Sequence, residues 1–134
     1  MNDEKKRLIA AAVAVAKNAY APYSKFHVGA ALLTNDNEII VGCNVENASY
    51  GLTICAERNA IFAAVARNIS SFRAVAIVAD GDAVPFPCGA CRQVLSEFCA
   101  AGMPVYVASI KQPDVVHALT MGELLPHAFS FKDL

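Results

Sequence analysis

The sequence predicts an α/β fold: a single domain over residues 1–134, with helices layered on a mixed sheet. Three observations carry that expectation. Helical and strand periodicities alternate along the chain in the order αββαβαββα. Helices separate the second, third and fourth strands, as parallel pairing requires, while the first two are joined by a short turn, as antiparallel pairing allows. At 134 residues, with no linker, repeat or low-complexity segment, the chain fits one core.

The elements follow in order. Asp3 is placed to cap a helix over residues 4–19, in which Leu8, Ile9, Ala12, Val13, Ala16 and Ala19 recur at three- and four-residue steps. Pro22 disfavours helix in the residue before it. Residues 28–33 read as a strand, 34–37 as a turn and 38–43 as the hairpin partner. A loop over 44–52 leads to a helix that starts at Thr53 or Cys55 and ends near Asn68. Residues 74–79 form a short apolar run of the buried-strand kind. An irregular loop through Pro85-Phe86-Pro87 enters a helix from Cys88 or Gly89 to about Ala101, stopped by Gly102 and Pro104. Strands over 105–109 and 115–119 follow, and Thr120 and Glu123 form a capping box for a short last helix ending at Pro126.

Composition narrows the function classes. The hydrophobic fraction is 56% and the mean hydropathy +0.40, high for a chain that must keep much of its surface in water. The excess predicts surfaces buried against further copies of the chain, a homo-oligomer. A net charge of −1 with scattered basic residues offers no footprint for nucleic acid. No apolar run is long enough to span a bilayer. The apolar stretch after Lys5-Lys6-Arg7 resembles a secretory leader, but Asn2-Asp3-Glu4 puts acid before it and no small-residue cleavage site follows. An odd number of cysteines fits a reducing compartment, so a cytoplasmic location is expected.

The chemistry lies in Cys55-Ala56-Glu57 and Pro87-Cys88-Gly89-Ala90-Cys91. Cys88 and Cys91 have the spacing of two ligands entering a helix, and Cys55 stands at the matching start of another. Both helix N-termini would lower the thiol pKa values. Three protein ligands on a tetrahedral zinc leave one position for water, as catalytic sites do. A redox dithiol would leave Cys55 without a use. A closed structural site would need a fourth ligand from Cys43, Cys99, His27, His117 or His127, none of which belongs to a second ligand-spaced pair. Three thiolates on Zn²⁺ carry a net negative charge, which Arg58 is placed to offset by donating to a sulfur. Glu57 is the expected proton carrier. A Cys or His followed two residues later by a nonligating Glu, with a distant Pro-Cys-x-x-Cys, is the pattern of zinc deaminases, which add water across an unsaturated C–N bond.

With those residues in place, the chain resembles the small cytidine deaminases along nearly its whole length. The resemblance runs through Tyr20-Ala21-Pro22-Tyr23-Ser24-Lys25-Phe26, Gly42-Cys43-Asn44-Val45-Glu46-Asn47-Ala48, Cys55-Ala56-Glu57-Arg58, Pro87-Cys88-Gly89-Ala90-Cys91-Arg92-Gln93 and Leu124-Leu125-Pro126. It implies a three-layer α/β/α fold with a five-stranded mixed sheet and a homotetramer with active sites at subunit contacts. It also implies one Zn²⁺ per subunit on Cys55, Cys88 and Cys91, with Glu57 catalytic. Asn44 and Glu46 would bind the ribose, Phe26 would pack on the pyrimidine, and main-chain groups around Ala56 and Cys88 would orient the amine and ring. Phe129 would reach a neighbouring subunit's site. The implied activity is hydrolytic deamination of cytidine and 2′-deoxycytidine in pyrimidine salvage. The alternatives are another small cytosine-containing compound, such as blasticidin S, or a noncatalytic zinc-stabilised oligomeric module.

Overall fold

A computed structural model describes residues 2–131. Helix α1 (Asp3–Ala16) is followed by the hairpin β1 (Val28–Thr34) and β2 (Ile39–Cys43), helix α2 (Ala56–Ala66), β3 (Phe72–Ala79), α3 (Gly89–Phe98), β4 (Pro104–Ser109), β5 (Gln112–Thr120) and α4 (Met121–Leu124). The strands form one five-stranded sheet in the order β2-β1-β3-β4-β5. Within the sheet of the described residues the β3–β4 pair, joined by α3, is parallel, and the β1–β2, β1–β3 and β4–β5 pairs are antiparallel. The sheet is mixed and covered by helices, as expected.

The side chains of β3 show why the middle of the sheet is apolar on both faces. Ala74, Ala76 and Val78 meet Leu8, Ile9, Ala12 and Ala16 of α1. Val75 and Ile77 face Ala56, Ala60, Ile61 and Ala64 of α2, together with Leu95 of α3. Strict alternation of two buried faces requires a continuous apolar run, and this one has it. Small residues set how closely the layers approach. A Cβ on Gly29 would lie 2.0 Å from the Ala12 carbonyl oxygen of α1, and one on Gly42 would lie 2.4 Å from the Ala60 nitrogen of α2. Backbone therefore rests on backbone at both sheet faces, and α2 is held where its N-terminus can carry chemistry.

Several element boundaries differ from the sequence expectation, each for a tertiary reason. Asn2, not Asp3, caps α1, its Oδ1 accepting the Lys5 N–H at 2.8 Å. α1 ends at Ala16 rather than Ala19, because Tyr20 leaves to bridge Val45, donating to Asn44 O and accepting from Glu46 N. α2 starts one residue after Cys55 and stops at Ala66, and a short 3₁₀ turn (Tyr50–Leu52) lies in the loop before it. β3 begins at Phe72, which pairs with Thr34 across a bulge and is buried. α3 stops at Phe98, where Cys99 turns extended and enters the core. β5 begins at Gln112, since an edge strand tolerates Pro113. The Thr120–Glu123 capping box is present, with α4 ending at Leu124.

Candidate active site

The two helices behind the sheet converge by their N-termini. Cys55 is the N-cap of α2 and Cys88 the N-cap of α3; neither side chain is used in capping, so both sulfurs are free to face each other. Cys91 lies in the first turn of α3 and is fully buried. The three Sγ atoms lie within 4.8 Å of one another, with Cys55–Cys88 at 4.0 Å and Cys88–Cys91 at 3.5 Å. Tetrahedral Zn–S bonds of about 2.3 Å separate sulfurs by about 3.8 Å, so this donor set fits one zinc ion.

The charges around the sulfurs are arranged for anions. The Cys91 thiol donates to Cys55 and outweighs the effect of burial; with Arg58 adding to it, the Cys55 thiol is held down to about 5. The same hydrogen bond, together with burial, pushes Cys91 up. Arg58 Nη2 donates to Cys55 Sγ at 3.4 Å, and its pKa is raised by that sulfur. Glu57, in the first turn of α2, is 5% exposed. Burial pushes its carboxyl up to about 6, and the nearby Cys55 sulfur adds to the rise.

Cys55, Glu57 and Cys88 lie at the floor of a cavity of about 570 Å³, within the range that takes a small organic ligand. Cys55, Ala56, Glu57 and Cys88 line one end, Phe26, Val28, Val84, Pro85 and Phe86 the walls, and Ser24, Asn44, Glu46 and Thr53 the polar end. Asn44 is nearly buried and already works as a clamp: its Oδ1 accepts Val28 N–H at 2.9 Å and its Nδ2 donates to Phe26 O at 2.8 Å. Glu46 accepts the Ser24 hydroxyl through Oε2, and the Tyr23 and Ser24 N–H groups through Oε1 at 3.0 and 3.1 Å. The Ser24 hydroxyl bond above all, outweighing desolvation, holds the Glu46 carboxyl below its usual range.

The cavity thus gathers all of the site residues singled out in the sequence except Cys91, Arg58 and Phe129. Phe129 lines a separate cleft with Ser96, Met121 and Leu125, and its ring meets Phe131 edge-on. Sequence reasoning assigned no role to Ser24, Thr53, Val84, Pro85 or Phe86. Pro85-Phe86 immediately before Pro87-Cys88 was the available signal, since a loop that delivers a ligand also walls the site. Thr53 and Val84 carried none.

A buried carboxylate beside a three-sulfur zinc site, at the joined N-termini of two helices behind a mixed sheet, defines a zinc-dependent hydrolytic deaminase. The comparisons with known proteins agree. Residues 2–107 match the family described as the cytidine and deoxycytidylate deaminase zinc-binding region, and the chain belongs to that family. It is 50% identical to the cytidine deaminase of Sporosarcina psychrophila, over 96% of this chain and 93% of that one. Identity to the cytidine deaminase of Halalkalibacterium halodurans is 47%, over 98% of both. The crystal structure of cytidine deaminase from Burkholderia pseudomallei superposes with a TM-score of 0.88 at 46% identity, covering 96% of this chain and 100% of that one.

Proposed function

We propose that this chain hydrolyses free cytidine and 2′-deoxycytidine to uridine and 2′-deoxyuridine, consuming one water and releasing one ammonia. The observation that carries this reading is the meeting of three sulfurs within 4.8 Å, two of them lining one cavity together with a buried carboxylate. Cys55, Cys88 and Cys91 would hold one zinc ion per subunit. When bound, it supplies a Lewis acid that makes water nucleophilic near neutral pH.

The chain's own residues do the rest. Glu57 takes a proton from the water as oxygen bonds to C4 of the ring, and passes that proton to N3. It then takes the second proton from the hydroxyl now on C4 and relays it to the exocyclic nitrogen, so the C4–N bond breaks, ammonia departs and C4 keeps a carbonyl oxygen. A single carboxyl lining the cavity can accept a proton and return it in turn. Arg58 offsets the charge of the thiolates. Phe26 packs on the pyrimidine, and main-chain groups at Ala56 and Cys88 orient the ring and amine. Asn44 and Glu46 grip the ribose: their bonds to residues 23–28 leave one N–H of the Asn44 amide and carboxylate lone pairs of Glu46 for hydroxyls.

The polar end of the cavity favours a sugar without phosphate. Among the described residues its lining has no Lys, Arg or His, and Glu46 supplies negative charge there. Outside the cavity, Val41, Phe62, Val65 and Leu52 leave apolar surface exposed, which supports a homo-oligomer, a tetramer in this reading, in which Phe129 reaches a neighbouring site. No helix among the described residues is long and apolar enough to cross a membrane. A single domain over residues 1–134, acting in the cytoplasm in pyrimidine salvage, completes the proposal.

The test follows ultraviolet absorbance as zinc-loaded protein meets cytidine, deoxycytidine, CMP, dCMP, cytosine and adenosine. Loss of absorbance with the two cytosine nucleosides, and not with the nucleotides, is the expected result. Turnover of the nucleotides alone would move the assignment to a nucleotide deaminase.

A further inference from the structure

The cavity wall at residues 26–28 is held from two sides. Asn44, immediately after β2, binds it through Phe26 O and Val28 N–H. From the other side comes Asp80, immediately after β3. Its Oδ1 accepts His27 N–H at 3.0 Å, its Oδ2 lies 2.7 Å from His27 Nδ1, and its own N–H donates to His27 O at 3.1 Å. One residue thus satisfies both backbone groups and the ring of His27. Phe26 and Val28 line the cavity, while His27 between them does not. Asp80 is absent from the lining as well.

The next residue completes the support. A Cβ on Gly81 would come within 3.1 Å of Phe26 Cε1, so the Phe26 ring leans on bare backbone there. That backbone is itself anchored, because the Ser109 hydroxyl, buried at the end of β4, donates to Gly81 O at 2.6 Å. Burial pushes the Asp80 carboxyl up, but the His27 backbone and ring bonds outweigh it and hold the group below its usual range, so it stays ionised.

We infer that Asp80 is a positioning residue which, with Gly81, fixes the Phe26 ring where it meets the substrate's pyrimidine and thereby sets substrate affinity. The inference rests on the reading that this cavity takes a cytosine nucleoside. Asp80 acts through His27 and Phe26 and touches no reacting atom. A ring that packs equally on ground state and transition state contributes uniform binding, so displacing it raises KM and leaves kcat in place.

Asp80→Ala removes the two carboxylate bonds and is expected to raise KM for cytidine by about tenfold, with kcat within about twofold. Affinity for the product uridine, measured by calorimetry, should weaken in step, at unchanged zinc content. Asp80→Asn keeps an acceptor for His27 N–H and should recover most of the loss. Gly81→Ala leaves the carboxylate intact but presses a methyl on the ring, and should also raise KM. It keeps the inference testable if Asp80→Ala fails to fold. A folded, zinc-loaded Asp80→Ala or Gly81→Ala with KM and uridine affinity unmoved would overturn the inference, as would a fall in kcat at constant KM. A lowered melting temperature with unchanged KM would mark Asp80 as merely structural and overturn it too. Wild-type protein inert toward cytidine would instead remove the substrate reading, whereas active wild type with silent variants removes only the role of Asp80.

Discussion

Glu57 carries the sharpest consequence at the scale of single residues. Its carboxylate is buried at the cavity floor, and glutamine keeps its shape but cannot cycle protons. Glu57→Gln is expected to keep zinc and fold and to lose at least about 10²-fold in kcat, measured by single-turnover absorbance. Undiminished turnover would remove Glu57 from the mechanism. Glu46 differs because its carboxyl pKa is depressed by the Ser24 hydroxyl bond. A depressed carboxyl stabilises the folded state above the unfolded pKa and loses that contribution as pH falls through the lower folded value. Wild type should therefore melt higher than Glu46→Gln at pH 7, and the gap should close below about pH 4. A gap that persists in acid would show that charge is not the cause. Glu46→Ala should raise KM for cytidine, and an unchanged kcat/KM would refute its grip on the sugar.

Among the elements, the placement of α2 decides the site, because its N-cap is Cys55 and its first turn bears Glu57. The helix lies against β2 where Gly42 has no side chain, and a Cβ there would collide with backbone nitrogen and carbonyl of Ala60 and Ala56. Gly42→Ala is expected to destabilise by about 1–3 kcal/mol or more by chemical denaturation and to lower zinc affinity, since α2 must retreat. Gly51→Ala is the control: nothing lies within 4 Å of a Cβ there, so stability should change by no more than about 0.5 kcal/mol. At the α1 N-terminus, Asn2→Ala removes the cap on Lys5 N–H and should cost about 1 kcal/mol without altering turnover.

For the whole molecule, the metal and the apolar surface are the levers. Three sulfurs at the starts of two helices come together, so a zinc ion held there would cross-link α2 to α3, and its removal should lower the melting temperature as well as activity. Chelator titration followed by scanning calorimetry checks this, and readdition of zinc should restore both. Phe62 on α2 is large, apolar and half-exposed, so Phe62→Lys is expected to shift sedimentation toward smaller species. An unaltered assembly would place the interface elsewhere.

Much of this protein was legible in its residues. The element order could be read from hydrophobic period, because each strand and helix must bury one face or two against neighbours. The convergence of the three thiols could be read from spacing, because ligands near a helix start converge only at particular separations. The end of α1 at Ala16, the bulged start of β3 at Phe72 and the early start of β5 were not legible, since Tyr20–Val45, Phe72–Thr34 and Gln112–Ser109 pair residues far apart or across a turn. Nor did any local signal show that Asn44 and Asp80 would hold residues 26–28 from opposite sides. Those contacts depend on how β1, β2 and β3 lie side by side. The linear chain determines which atoms can bind a metal and move a proton, because that is a property of residue type and short spacing; only the folded sheet decides what shape of molecule meets them, because the cavity wall is assembled from segments that share nothing but position in space.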